Sequence, residues 1–333
     1  MSNIDKIQFL NRVEIKDISY EDLDQILLLI TEEYGNNYQE QEFYHENIIK
    51  NYIKKSLNNE GVHWKGAFYE GNLVGQLISE INHGIAFLKL AIVKRQFKRM
   101  GVMKLLSYYI ERVCHEHTES DFKCVYALIS NENIEMQKHI VKYNYVRLGT
   151  TPSWELNKFF YIFGIIVYDH RWKLCVPNPK VYVEIFNTVK NNMLNRFISI
   201  NPSFSNVKSQ THDYEIDSIR FEQLSNFFPQ KIGILSSKNE FVAEISENEY
   251  QKSWYDLLLT KELNYRTKEL IVKKILDKFE HNENINTLSI PININDQRLQ
   301  NLLLIYKMKY FAYLPFYLNG LDAILMGKTK IKN

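Results

Sequence analysis

The feature of this sequence that most constrains the fold is a strand, a basic turn and a helix that follow one another within residues 87–113. Residues 87–93 form a largely apolar run, and a turn rich in lysine and arginine then leads to Gly101. Apolar residues return with the spacing of one face of an amphipathic helix, at Val102, Leu105, Leu106, Tyr109, Ile110 and Val113. The pattern predicts a β–turn–α unit.

A unit of this kind can bind an anion where the helix begins. The first N–H groups of a helix have no acceptor within the helix, and the helix dipole places partial positive charge there. A phosphate or pyrophosphate fits such a position. The alternative is a surface connection whose lysines and arginines only face water, and spacing alone does not separate the two interpretations.

Two motifs in this region resemble those of the GCN5-related N-acetyltransferases (GNAT). The central motif of that family is a strand, then R/Q-x-x-G-x-G/A, then a helix. Its six positions read here Lys98, Arg99, Met100, Gly101, Val102 and Met103. Lys98 stands where the family usually has Arg or Gln, and Met103 stands where it has a second Gly or Ala. One strand later, residues 133–145 resemble the second family motif, N-x-x-x-…-K-x-G-F, with Asn-Tyr in place of Gly-Phe.

The resemblance implies an α/β fold with a mixed (α+β) sheet, the GNAT acyl-CoA acyltransferase fold. The hydrophobic periods of the chain independently predict the order β-α-α-β-β-β-α-β-α-β-β over residues 10–170, which matches the order in that family. In the family, the central strand and the fifth strand diverge, and acetyl-CoA binds in the gap.

The resemblance also implies which residues hold acetyl-CoA or another acyl-CoA. Main-chain groups of Ala91, Ile92 and Val93 would bind the pantetheine, and Asn133 would contact the cofactor from the other side. The pyrophosphate would be bound by main-chain N–H groups of Lys98, Arg99, Met100, Gly101, Val102 and Met103. The side chain of Met103 would crowd the phosphate unless this flexible residue turns aside.

The groups that transfer protons are harder to place. An amine with a pKa near 10.4 is only about 0.04% neutral at pH 7, so a base is expected. Many family members have a Glu in the central strand and a Tyr seven residues after the Asn, whereas this chain has no Glu there and has Ile140. Glu80 and His83 are the nearest candidates for a base or water relay, and Tyr143 is a candidate for a displaced acid. For each of them the alternative is a structural role, which is the commoner one for such residues.

The first two predicted helices would lie over the acceptor in the family's arrangement. Aromatic and His side chains are frequent there, and acceptor-pocket candidates are Tyr34, Tyr38, Phe43, Tyr44 and His45. The alternative is that these rings only pack the two helices together.

With 333 residues the chain is long enough for two domains, predicted at residues 1–170 and 171–333. A shift of 165 residues aligns several apolar positions of the two halves, which suggests a second, degenerate GNAT-like domain in tandem. Its equivalent of the anion turn, residues 261–266, has no glycine and carries Glu262. The alternative is an unrelated α/β domain.

Composition limits the cellular compartments and the classes of partner that this chain is expected to have. A formal charge of +2 gives no basic footprint for nucleic acid, and three widely spaced cysteines indicate a reducing compartment. Residues 159–168, the longest apolar run, are too short to span a bilayer. Cys114, His115 and His117 do not have zinc-site spacing, so no metal is expected. We expect a cytoplasmic monomer or homodimer without membrane or nucleic-acid partners.

The predicted function is an acyl-CoA-dependent N-acyltransferase, most simply an N-acetyltransferase. A small-molecule or peptide amine would attack the thioester directly in a ternary complex. One alternative is a CoA-binding sensor or scaffold that has lost catalysis. Another is transfer from a carrier-protein thioester, with the basic residues 94–104 as the docking face.

Overall fold

The chain groups into two compact units. The first unit comprises Met1–Ile129, Ile134–Val146 and Phe163–Cys175, and the second comprises Ser130–Asn133, Arg147–Ile162 and Val176–Asn333. The computed structural model describes residues 3–38, 40–82, 84–117, 123–143, 145–152, 159–168, 171–172, 219–225, 229–236, 238, 240–259, 263–318 and 321–330.

The part of the chain up to residue 172 contains five helices and eight strands among its described residues. The helices are α1 (Asn3–Leu10), α2 (Leu23–Tyr34), α3 (Glu46–Leu57), α4 (Val102–His117) and α5 (Ile134–Val141). The strands are β1 (Val13–Asp17), β2 (Val62–Tyr69), β3 (Asn72–Asn82), β4 (Ile85–Val93), β5 (Cys124–Ser130), β6 (Val146–Thr150), β7 (Phe160–Tyr168) and β8 (Arg171–Trp172). Short 3-10 turns precede α2, α3 and α4. The predicted order over residues 10–170 is confirmed, and α1 was not predicted.

The sheet of the first unit has the order β1-β2-β3-β4-β5-β7. Neighbours from β1 to β4 are antiparallel, whereas β4 and β5 are parallel. Helix α4 packs against this sheet through Val102, Leu106 and Ile110, which are buried as the spacing predicted. The helix can approach closely because β3 has a glycine there: a Cβ on Gly75 would lie 2.9 Å from the Val102 side chain.

The described part of the chain from residue 219 onward contains two helices and seven strands. The helices are α6 (Tyr265–His281) and α7 (Gln297–Ile305). The strands are β9 (Ile219–Ser225), β10 (Gln230–Ser236), β11 (Phe241–Asn248), β12 (Ser253–Leu259), β13 (Thr287–Asn293), β14 (Lys309–Leu318) and β15 (Leu321–Thr329). Its core includes the apolar face of α6, with Ile271, Ile275 and Phe279 fully buried.

The strand order of the second unit repeats that of the first. Its strands follow one another as β9-β10-β11-β12-β13-β15, with β14 beside β15. The parallel pair, β12 with β13, occupies the same place in the order as β4 with β5. Helix α6 connects that parallel pair, as α4 does in the first unit. The fold is therefore mixed α/β, with a mixed sheet in each unit.

Strand β12 was missed in the sequence because a charged residue interrupts it. Asp256 lies in the middle of the strand with φ 53, and the register against β11 shifts there. Leu90 of β4 has φ 48 at the matching register shift against β3. Both strands thus contain a bulge next to a parallel neighbour. The sequence of residues 172–213 predicts a connection that leads into a helix, followed by a loop; residues 173–213 lie outside the described residues.

No helix in the described ranges is long and apolar enough to cross a membrane.

Candidate cofactor and acceptor site

The turn before α4 leaves the start of that helix open. Arg99 has φ 65 and Gly101 has φ 99, a backbone conformation that favours glycine. The first hydrogen bond of the helical ladder runs from the Leu105 N–H to the Gly101 carbonyl, at 3.0 Å. The N–H groups of Val102, Met103 and Lys104 therefore precede the ladder and face the end of the helix. This arrangement suits a phosphate oxygen.

The side chain of Met103 is partly buried and packs against the core cluster of the first unit, together with Met100 and Phe97. The flexible side chain thus turns toward the apolar interior, so the larger residue is compatible with an anion at the helix start.

Strands β4 and β5 pair over only part of their length. Their register runs from Ile85 with Cys124 to Leu88 with Ala127, and the bulge at Leu90 follows at once. Such a parallel pair that stops at a bulge leaves main-chain groups of the later β4 residues available to a ligand. The side chains of Ile92 and Val93 are buried, so these residues can offer only their main-chain groups. Ala91 is half-buried beside them.

Carboxylates from the end of α2 neutralise part of the basic turn. Lys94 Nζ lies 2.8 Å from Glu32 Oε2. Glu33, whose side chain is 4% exposed, accepts hydrogen bonds from the Lys98 ammonium and from the Arg95 main-chain N–H. The turn is therefore held in place against α2, and its ability to bind an anion depends more on main-chain N–H groups than on free lysines.

The side chain of Arg99 pairs with α5 rather than with α2. Its guanidinium is 3.4 Å from Glu135 in the first turn of α5, and both side chains are highly exposed. Asn133 directly precedes α5 and donates its main-chain N–H to the Ser130 carbonyl at 3.0 Å. Because Ser130–Asn133 groups with the second unit, the predicted contact of Asn133 with the cofactor stays a prediction.

The three candidates for proton transfer are in different settings. Glu80 forms an ion pair with Lys89, with Oε2 2.6 Å from Nζ. His83 lies outside the described residues. Tyr143 is 38% exposed in the turn after α5, and its ring lies 4.9 Å from that of His139. No contact brings Tyr143 to Glu80 among the described residues, and their catalytic roles stay predictions.

A carboxylate that the sequence did not single out lies at the bulge of β4. Glu40 accepts a hydrogen bond from the Leu90 main-chain N–H and another from the Tyr38 hydroxyl, at 2.5 Å. Burial is the main cause that raises the pKa of Glu40 above its ordinary 4.5, while Tyr38, Lys89 and the Leu90 N–H act in the opposite direction. A carboxylate with a raised pKa, close to the point where β4 and β5 separate, is a candidate general base.

Tyr38, which donates to this carboxylate, belongs to a series of aromatic ring contacts. The rings of Tyr34 and Tyr38 are 4.8 Å apart, those of Tyr38 and Phe43 are 6.5 Å apart, and those of Phe43 and Tyr52 are 5.3 Å apart. Burial raises the pKa values of Tyr34 and Tyr52 to about 12, so both hydroxyls are neutral near pH 7. Tyr52 also bonds Lys89, with 3.3 Å between the hydroxyl and Nζ. Three of the five predicted acceptor-pocket residues therefore form one aromatic chain.

Sequence reasoning passed over Glu40 because nothing in the linear pattern connects it to β4. It follows Tyr38 in a short polar segment between α2 and α3, and 50 residues separate it from Leu90. The only available signal was its place within the aromatic segment predicted to cover the acceptor. No group of three or more His, Cys, Asp or Glu residues is arranged for a metal ion in the described parts of the chain.

Comparison with protein-family models and with curated proteins gave no match. Solved structures do match. The PaiA N-acetyltransferase of Thermoplasma acidophilum, solved with coenzyme A, matches with a TM-score of 0.40 and 20% identity over 46% of this chain and 97% of that chain. Ard1 of Thermoplasma volcanium matches with a TM-score of 0.40 and 19% identity over 47% of this chain and 99% of that chain.

A GNAT-family acetyltransferase of Bacillus cereus matches with a TM-score of 0.37 and 22% identity, over 47% of this chain and 98% of that chain. About half of this chain thus matches solved structures of GCN5-related (GNAT) N-acetyltransferases, each of them over nearly its whole length.

Proposed function

We propose that the first unit is an acyl-CoA-dependent N-acyltransferase, most simply an acetyltransferase, with a small-molecule or peptide amine as acceptor. One observation carries the proposal: the open start of α4 at Gly101 follows the strand whose pairing with β5 stops at a bulge. A phosphate site and a free strand edge on one β–turn–α unit suit a ligand that has both a pyrophosphate and an amide-containing arm.

The residues present fit acyl-CoA. The N–H groups of Val102 and Met103, with that of Gly101, would bind the pyrophosphate, and the main chain of Ala91–Val93 would bind the pantetheine. Lys98 and Arg99 would add positive charge at the edge of the site, reduced by Glu33 and Glu135. Bound acyl-CoA would supply the thioester carbon that the amine attacks and the sulfur that leaves.

Glu40 is the proposed base. As the amine nitrogen forms its bond to the acyl carbon, the carboxylate would take the proton that the nitrogen loses. Burial raises the pKa of Glu40 from 4.5 toward neutral pH, and a base whose pKa lies near the working pH transfers protons more effectively. Glu80 is less suited to that role because Lys89 holds its carboxylate in an ion pair. Tyr143 remains the candidate donor of a proton to the departing sulfur.

One observation favours the alternative function, a CoA-binding sensor or scaffold that has lost catalysis. Ile140, which stands at the family's usual acid position, is 7% exposed and cannot donate a proton. A CoA-binding sensor would need no acid. Carrier-protein docking has less support, because Lys94, Lys98 and Arg99 of the basic face are already paired with carboxylates.

For the second unit we propose a degenerate domain of the same fold. The repeated strand order, the parallel pair in the same place and the matching bulge support it. Its helix α6 begins with a closed cap: the Asn264 side chain accepts a hydrogen bond from the Thr267 N–H at 2.9 Å. We expect no CoA site there.

Calorimetry with CoA tests the proposal on the full chain. A hydrogen bond to a charged group contributes about 1.5–3 kcal/mol, and 1.4 kcal/mol is tenfold in affinity. Gly101→Glu should therefore weaken CoA binding at least tenfold. The matched control is Gly84→Glu, which also replaces a glycine with positive φ, but at the opposite end of β4. Equal CoA affinity in folded Gly101→Glu and wild-type protein would refute the assignment.

A further inference from the structure

A buried carboxylate lies on the apolar face of α2. Glu33 follows Ile26 and Ile30 at the spacing i, i+4 and i+7, which is one side of a helix, and both isoleucines are fully buried. Only 4% of the Glu33 side chain is exposed. A charge in such a position is costly unless it is paired and hydrogen-bonded. The partners of Glu33 therefore indicate its role.

Both partners of Glu33 belong to the turn before α4. Oε1 accepts a hydrogen bond from the Arg95 main-chain N–H, and Oε2 pairs with the Lys98 ammonium. The short 3-10 turn runs over Arg95–Phe97, and Lys98 follows it, so one carboxylate bonds to both ends. Lys94, the residue before the turn, has no side-chain acceptor, and Glu33 caps the turn from another helix instead.

The opposite side of the turn is fixed by packing. The ring of Phe97 lies 5.3 Å from that of Phe9 and 5.8 Å from that of Tyr69. Arg99 follows with φ 65, a conformation that a residue other than glycine keeps only where its surroundings hold it. The ion pair of Arg99 with Glu135 is highly exposed, and exposed pairs contribute little. The support for this conformation therefore comes from the preceding turn, which the aromatic packing and the buried carboxylate hold.

The turn leads directly to the donors of the proposed pyrophosphate site. Gly101 lies two residues after Arg99, and the open N–H groups at the start of α4 follow. These donors are aligned for a ligand only while the turn keeps its shape. A free turn would have to be ordered when the ligand binds, which costs conformational entropy and lowers affinity. A turn that is held beforehand avoids that cost.

We propose that Glu33 is a positioning residue of the CoA site, which holds the turn so that the N–H groups at the start of α4 are aligned before CoA binds. This inference rests on the proposed function and adds a residue that controls cofactor affinity from α2. Glu33 acts through the turn rather than by contact with the cofactor. Its neighbour Glu32 differs, because its carboxylate pairs with the flexible side chain of Lys94.

Calorimetry with CoA on the full chain tests the role. Glu33→Leu removes both bonds but suits the apolar face of α2, so the variant should fold and bind CoA at least tenfold more weakly. Glu33→Gln keeps an oxygen for the Arg95 N–H and loses only the ion pair with Lys98, which is more than half exposed. It should therefore bind CoA nearly as wild type does. Glu32→Leu, which removes the other ion pair between α2 and the turn, is the matched control and should bind CoA as wild type does.

A proline tests whether Glu33 acts by holding the backbone. Lys94 has ψ 134, which suits the residue before a proline, and proline is favourable in the first position of a helical turn because it needs no acceptor there. Arg95→Pro added to Glu33→Leu should recover part of the lost CoA affinity without any carboxylate. Equally weak binding in Glu33→Leu, Glu33→Gln and the double variant would mean that the charge of Glu33 matters and not its hold on the turn, which would overturn the proposal.

Hydrogen exchange separates positioning from a general loss of stability. In the free protein, Glu33→Leu should speed the exchange of main-chain N–H groups in residues 95–104 and leave β2 and β3 protected. Saturating CoA should restore the protection of the turn. Wild-type protection of the turn in free Glu33→Leu, or faster exchange throughout the first unit, would contradict the proposed role.

The wild-type titration keeps this inference distinct from the proposed function. Absence of CoA binding to wild-type protein rejects the proposed acyl transfer and the role of Glu33 together. CoA binding that Gly101→Glu weakens and Glu33→Leu leaves unchanged rejects the role of Glu33 alone.

Discussion

Helices α4 and α6 each follow a bulged strand and lead into the strand that is parallel to it, but they begin differently. The start of α4 has glycine at φ 99 and N–H groups that precede the helical ladder. The start of α6 is closed by Asn264, which uses its side chain to satisfy the Thr267 N–H. The same backbone order therefore leaves open N–H groups at the helix start in one unit and a capped helix start in the other. A side-chain cap and an anion compete for the same donors.

The bulges of β4 and β12 also differ in the groups that bond to them. At the first, the Leu90 main-chain N–H bonds Glu40, a carboxylate from the segment between α2 and α3. At the second, Asp256 itself occupies the bulge and accepts a hydrogen bond from Tyr317. No described helix lies between β9 and β10, whereas α2 and α3 lie between β1 and β2. The bulge of β4 therefore contacts a segment between two helices that has no counterpart in the described part of the second unit.

The largest expected difference between the units is in CoA binding itself. We expect one CoA per chain in the wild-type protein, and an affinity at least tenfold lower in Gly101→Glu. Calorimetric stoichiometry measures this directly. Two sites per chain would mean that α6 also binds the cofactor, and unchanged affinity of a single site in Gly101→Glu would refute the assignment to α4. Either result would remove the contrast.

The next largest effect concerns turnover. If Tyr143 is the displaced acid, Tyr143→Phe should lower the rate about 10²-fold, or about 2.7 kcal/mol in activation free energy. Tyr306→Phe, at the end of α7 in the second unit, is the matched control and should leave the rate unchanged. An unaltered rate and pH profile in Tyr143→Phe would instead favour proton transfer through water.

A smaller effect is expected on the stability of the second unit. Asn264→Ala removes the cap of α6 and should lower the free energy of unfolding by about 1 kcal/mol, whereas Asn264→Gly should cost only a few tenths. Urea unfolding measures both. CoA affinity should not change in either variant. Tighter or additional CoA binding after loss of the cap would show that the cap alone prevents binding.

The smallest effect is a change with pH, because three interactions offset part of the burial that raises the pKa of Glu40. The folded protein keeps the Glu40 proton to higher pH than the unfolded chain, whose carboxyl titrates near 4.5. The ionised group therefore lowers stability as pH rises through the folded pKa, and this penalty is absent below the unfolded pKa.

Urea unfolding at several pH values should show the matching difference between wild type and Glu40→Gln. The variant gains relative stability as pH rises from the unfolded pKa through the folded pKa of Glu40, and the difference stays constant above the folded pKa. Glu21→Gln, at an exposed carboxylate, is the control and should run parallel to wild type. A parallel course for Glu40→Gln would mean that the carboxylate is not desolvated in solution.

Local patterns in the sequence determined most of the secondary structure. The helical face of α4 and the position of Gly101 could be predicted because apolar spacing and backbone preference act over a few residues. The same holds for the predicted order of strands and helices in residues 10–170. Strand β12 was missed because its bulge places a charged residue at φ 53 within an otherwise apolar run.

The tertiary structure alone decided which polar groups meet. Glu40 reaches Leu90, and Glu33 reaches Lys98, across more than 40 residues of chain in each case. Pairing at that range depends on how helices pack on the sheet, which no local period records. The packing of the Met103 side chain against the core cluster is likewise visible only in the tertiary structure. Sequence determined the elements because their forces are local; tertiary packing decided the site because its charges and hydrogen bonds join distant segments.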